Sequence, residues 1–294
     1  MKYLFILLNL IFFIFSMNNT LLRGLTPGKE LTQIQSAIKS KNADWVIAFT
    51  GFTLLPAFEQ NKLSDENFFE YSGGVGGDKI TLAAPPPSFD WRSKGVVTSV
   101  KNQGNCKSAW AFAAIAAMEA NIMIKSKSRL DLSEQYLVSC DTHNNGCNGG
   151  YLDRTVNFLK NDGTVDEACF PYVANNSNCN KKCQDWKSRI KKISSWGWNS
   201  SSIESIKQAL YNYGVLIAGF AVYSDFDYYK SGIYEHSWGG LLGKSAVAIV
   251  GYDSKNQYWI CKNSKGSGWG ENGYFRIKWN TVDLEKSVIW IKIN

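Results

Sequence analysis

From Ala109 to Met118 no polar residue interrupts the chain. The run Ala109-Trp-Ala-Phe-Ala-Ala-Ile-Ala-Ala-Met-Glu119 is rich in residues that favour helix, and apolar side chains fall on every face. It predicts a helix buried on most sides rather than one with a single apolar stripe. Shorter helical patterns flank it. Leu31–Ser40 is amphipathic, Asp131–Val138 offers Ser133 or Asp131 as an N-cap, and Tyr151–Lys160 runs until Gly163 can end it. From Val215 the texture changes. Val215–Tyr223, Ala246–Gly251, Tyr258–Lys262, Tyr274–Lys278 and Ser287–Ile293 are β-rich runs separated by Gly, Asn and Asp. Helices followed by strands predict an α+β protein in two halves.

The 294 residues, 45% hydrophobic and 19% charged, suit one large globular unit. Residues 1–16 carry one early lysine, an apolar run and a closing serine, the pattern of a secretory signal peptide. No later run is apolar for long enough to span a bilayer. Residues 17–84 lack cysteine, and their end, Gly73-Gly-Val-Gly-Gly77 and Ala84-Pro-Pro-Pro87, has linker composition. Seven cysteines fit a compartment in which disulfides persist. Cys261, inside a strand-like run, is expected to be a buried free thiol, while the other six leave their pairing open. Asn18, Asn175 and Asn199 head glycosylation sequons. The +7 formal charge includes no basic run or nucleic-acid motif and predicts a solvated surface, with no nucleic-acid partner.

Cys106-Lys-Ser-Ala-Trp110 resembles the active-site segment of papain-like cysteine proteases, C-G-[SA]-C-[WY]. Ser88-Phe-Asp-Trp-Arg92 is similar to the start of their mature domain. Ser245-Ala-Val-Ala-Ile-Val-Gly-Tyr252 and the Asn263 segment, Lys262–Tyr274, are similar to the regions that carry their histidine and asparagine. The resemblance covers residues 85–294 and implies a two-half fold, a helical disulfide-bridged half beside an antiparallel β-barrel-like half, with substrate in the groove between them. It also implies the pairs Cys106–Cys147, Cys140–Cys179 and Cys169–Cys183, and makes residues 17–84 a short propeptide and linker.

A cysteine protease needs a thiolate, a histidine, a residue to orient it and an oxyanion hole. By resemblance Gln103 is the oxyanion donor and Asn263 the orienting residue. The nucleophile position holds Ala109, and the histidine position, 136 residues on, holds Ser245. A methyl group cannot attack a carbonyl, and a serine hydroxyl is no base near neutral pH. Ser108 is adjacent, but successive helical side chains diverge by about 100°. The two histidines, His143 and His236, read as surface or interface residues.

Lys107, Lys244 and Lys265 fall where the family has other residues. Facing the groove, they would make it attractive to an acidic ligand; on its rims they would be solvated. Gly149, Gly150 and Tyr151 resemble the family's wall for substrate backbone, and Trp269 is retained although the tryptophan expected at 265 is lysine. These residues predict a non-catalytic homologue that binds a peptide or protein partner in the former cleft, its own propeptide being one candidate. No cofactor or metal is expected, and the location is the secretory pathway, extracellular or lysosome-like. The rivals are an active hydrolase using Ser108 or His236, and a structural or storage glycoprotein.

Overall fold

The computed structural model describes residues 27–50, 53 and 84–293. The expected signal peptide, Asn18 and most of the expected linker lie outside them. The first described element is helix α1, Pro27–Ser40, which seats Ile34 and Ile38 in the core.

The helical half is built on α2, Ala109–Ser126, with 13 of its 18 residues buried. Trp110, Ile115 and Met118 are inaccessible to solvent, and the alanines between them let neighbouring elements approach closely. The helix stops where Lys127 takes a left-handed conformation (φ 61°) and its N–H closes on Met123 O. Helix α3, Glu134–Cys140, is capped by Ser133, whose Oγ accepts from Tyr136 N at 3.0 Å. Helix α4, Leu152–Asn161, ends ahead of Gly163 (φ +81°), whose N–H bonds to Phe158 O at 2.9 Å. A single turn, α5, spans Trp186–Arg189. Disulfides Cys106–Cys147, Cys140–Cys179 and Cys169–Cys183 tie this half together. Cys261 is a buried free cysteine.

The other half is a sheet with helix α6, Ile203–Tyr213, on one face. Its strands are β1 Trp45–Ile47, β2 Ser88–Asp90, β3 Ile193–Trp198, β4 Leu216–Tyr223, β5 Tyr229–Tyr234, β6 Leu241–Asp253, β7 Tyr258–Lys262, β8 Tyr274–Lys278 and β9 Val288–Ile293. Side chains alternate across it as strand geometry requires. Ile217, Ala246, Ala248 and Val250 join the core under α2. Leu216, Ala218, Val247 and Ile249 join a second core with α1 and α6. That alternation places Ser245 on the face of Val247, opposite Phe220 of β4.

The expectation of an antiparallel, barrel-like half is corrected. The strands run in one open path, β1-β5-β8-β7-β6-β4-β9-β3, with β2 beside β6. The sheet is also mixed, since β5 and β8 are parallel, with Ile233 opposite Arg276. The two ends of the path are formed by β1 and β3. Strand β1, from the segment before residue 85, covers the edge of β5. At the far end β3 lies beside α4, where Trp196 Nε1 donates to Asn157 Oδ1 at 3.0 Å. Alternation within single strands predicts that a face is buried; it does not reveal what lies at the edges.

Candidate functional site

The turn before α2 is fastened from three sides. Gln103 Nε2 donates to Cys106 O at 2.8 Å, Gln103 N donates to Ser264 O at 2.8 Å, and Ser264 Oγ donates to Gln103 Oε1 at 2.5 Å. The Cys106–Cys147 disulfide and the bond from Lys107 N to Cys147 O at 3.1 Å hold its far side. Ala109 follows as the first residue of α2, its methyl buried. The opening N–H groups of a helix have no intrahelical acceptor, and Ser108 makes no side-chain cap bond to them. Ser108 instead turns inward, fully buried. Its Oγ donates to the Tyr172 hydroxyl at 2.7 Å, which donates to Gln103 O at 2.8 Å. Burial pushes the Tyr172 phenol well above its usual range. Sequence reasoning missed Tyr172, because its partners lie more than sixty residues away.

Asn263 follows directly on β7 and is buried, its Oδ1 accepting from Ser264 N at 2.8 Å while Nδ2 has no partner among the described residues. With Phe112, Ala113 and Ala246 it lines an internal cavity with room for about one water molecule. Thus the start of α2, the Ser245–Ala246 stretch of β6 and the end of β7 converge. Ser245 itself is half-buried.

Lys265 does not present a bare charge. Its Nζ lies 2.6 Å from Asp227 Oδ1, with side-chain exposures of 13% and 2%. It also sits 5.8 Å from the ring centres of both Phe226 and Trp269. Burial pulls the Lys265 ammonium below its usual range, opposed by the attraction of Asp227. Trp269 is buried, and its Nε1 donates to Asp227 O at 3.3 Å. The partner for a lysine at 265 was hidden in the sequence because Asp227 is 38 residues away. Lys107 and Lys244 are half-buried.

Gly149 (φ +108°) and Gly150 follow Cys147, the disulfide partner of Cys106. A Cβ on Gly150 would come within 2.7 Å of the Trp110 ring, so only glycine fits there. Tyr151 is half-buried, with Arg154 stacked 4.2 Å over its ring. Neither histidine joins this group. His143 is 75% exposed. His236 stacks on Tyr223 at 3.8 Å and sets Nδ1 3.2 Å from Asp225 Oδ1. Tyr223 is three residues along β4 from the partner of Ser245, roughly 10 Å at strand rise.

Beneath the site lies a charged cluster in which Glu119 and Glu134 are buried and Asp131 is exposed. Lys101 Nζ contacts Glu119, Asp131 and Glu134 at 3.4, 2.7 and 3.0 Å, and Lys262 Nζ donates to Thr98 Oγ1 at 3.0 Å. Burial pushes the Glu134 carboxyl up to about 8 despite Lys101. Burial also pulls Lys262 down to about 8. Among the described residues no three His, Cys, Asp or Glu side chains are grouped to hold a metal ion. No described helix is long and apolar enough to cross a membrane.

The profile of the papain family cysteine proteases matches residues 85–290. The senescence-specific cysteine protease SAG12 of Arabidopsis thaliana is 34% identical over 91% of this chain and 75% of its own length. The probable cysteine protease RD21C of the same plant is 40% identical over 66% of this chain. The match spans only 44% of that relative. Among solved structures, proCathepsin B S9 from Trypanosoma congolense superposes with a TM-score of 0.82, covering 92% of this chain and 98% of that one. At 23% identity that likeness speaks for the fold alone.

Proposed function

This chain belongs to the papain family of cysteine proteases, and from that premise we propose that it is a member that binds rather than cuts. The observation that carries the reading is the Ala109 methyl at the head of α2, where the family motif has its thiol. Ser245 in place of the histidine removes the general base as well. The free cysteine, Cys261, is buried within β7. Gln103 and Asn263 remain, in a network that holds the loop before α2 against the loop after β7.

The ligand is a peptide or protein segment lying along Gly149, Gly150 and Tyr151. The N-terminal segment is the nearest candidate. Trp45 is buried against Tyr229 and Tyr234, and Thr50 Oγ1 donates to Asp227 O at 3.0 Å, beside Lys265. A chain that cannot process itself retains this segment unless another protease removes it. Three disulfides support a route through the secretory pathway. The deciding experiment incubates the purified chain with fluorogenic peptides and with an epoxide warhead, followed by intact-mass analysis. No turnover and no adduct are expected. Hydrolysis, or an added mass on the peptide containing Ala109, would end the reading.

A further inference from the structure

Two glycosylation sequons fall on described residues, and their surroundings differ. Asn199 is half-buried ahead of α6. Its Nδ2 donates to Ser200 O at 2.9 Å and to Ser205 Oγ at 3.2 Å. A sugar on that nitrogen would consume one N–H and press a bulky group against the start of the helix. Asn175 is exposed, and its side-chain amide has no partner among the described residues.

The backbone around Asn175 is fixed from below. Gln135 Nε2 donates to Asn175 O at 3.0 Å, and Gln135 Oε1 accepts from Val173 N at 2.9 Å. Ser177, the hydroxyl residue of the sequon, bonds through its N–H to Ser139 Oγ at 3.3 Å. The neighbours of Asn175 are tied to the rest of this half, although Asn176 is exposed as well. Asn176 Oδ1 accepts from Cys147 N at 2.7 Å. Ala174 Cβ would lie 3.2 Å from a Cβ placed on Gly104. Asn175 is therefore an exposed residue of a short, anchored loop beside the turn that carries Gln103.

We propose that Asn175 is an N-glycosylation site and that Asn199 is left unmodified. The linkage forms between Asn175 Nδ2 and the anomeric carbon of an oligosaccharide released from its lipid pyrophosphate, with the amide proton leaving. The glycan stands on the rim above Gln103 and Gly104 and screens that side of the cleft. The inference rests on the secretory route proposed above.

The test translates the full chain in a cell-free system containing endoplasmic-reticulum microsomes. Protease protection reports translocation. Release of glycans by peptide N-glycosidase in heavy-oxygen water, followed by peptide mass spectrometry, reports each asparagine separately. A protected chain with heavy label at Asn175 but not at Asn199 is expected. Asn175→Gln should remove one glycan from the mobility shift, and Asn199→Gln should leave the shift unchanged. A protected chain unlabelled at Asn175, or labelled equally at Asn199, overturns the assignment while the secretory route stands. An unprotected chain overturns the route itself, and the glycan with it.

Discussion

Ser264 Oγ donates to the Gln103 side-chain carbonyl at 2.5 Å, so that Gln103 is positioned by the loop after β7 as well as by its own turn. Removing that hydroxyl should leave Gln103 Oε1 unsatisfied in a buried setting. Ser264→Ala is expected to cost about 1–3 kcal/mol. Chemical unfolding of the two proteins would measure it, and an unchanged midpoint would show that the bond contributes nothing.

Restoring only the sulfur should not restore protease action. Ala109→Cys is expected to give a thiol that reacts slowly with alkylating agents and turns over peptide only at a trace rate. Ala109→Cys with Ser245→His should gain at least ~10²-fold over either single change, the typical share of a positioned general base. Rates on a fluorogenic peptide panel check this. A single variant as fast as the double would contradict it.

Thiol counting gives an independent readout. Six of the seven cysteines are paired and Cys261 is inaccessible. Burial raises its pKa well above the usual value, and the thiolate is the reactive form. Iodoacetamide should leave the native chain unlabelled and add one group per chain after denaturation without reductant. Rapid labelling of the folded protein would refute the assignment.

The Lys265–Asp227 pair is expected to behave as a unit. Lys265→Ala strands a buried carboxylate and should destabilise by about 3–5 kcal/mol. Replacing both by apolar residues of similar size, Lys265→Met with Asp227→Leu, should recover most of that loss. A double variant no more stable than Lys265→Ala would rule out the coupling.

The charged cluster gives stability a pH signature. Folding raises the Glu134 carboxyl from an ordinary 4.5 to about 8, so the folded state holds a proton that the unfolded chain has released. Its contribution is present below pH 4.5 and is lost as pH rises towards 8. Lys262, pulled from 10.5 to about 8, acts oppositely, and its penalty is relieved as pH rises from 8 to 10.5. Glu134→Gln should therefore flatten the decline in Tm between pH 5 and pH 8. Parallel Tm–pH profiles would reveal the flattening, and superimposable slopes would count against it.

Much of this architecture was written locally. The unbroken apolar run at 109–118 specifies α2, Ser133 marks the start of α3, and the β-rich runs at Tyr258–Lys262 and Tyr274–Lys278 coincide with β7 and β8. Strand β6 begins five residues before the expected Ala246, because Lys244 and Ser245 break the apolar pattern although the backbone is already paired. Strands β3 and β5 went unrecognised, since Gly197 and Gly232 interrupt runs that are only six residues long. Gln103 and Asn263 were named by motif, and both are found bonded to Ser264. Residues at the site were illegible where one side chain answers another far along the chain, as Tyr172 does Ser108 and Asp227 does Lys265.

Strand β1 lends the sheet three residues that belong to the N-terminal segment. Were that segment stripped away, the six residues of β5 would replace the three of β1 as the sheet's outer row of amide and carbonyl groups. Such a row invites strands from other molecules to stack upon it. The protein's solubility is therefore expected to fall when residues 27–50 are removed.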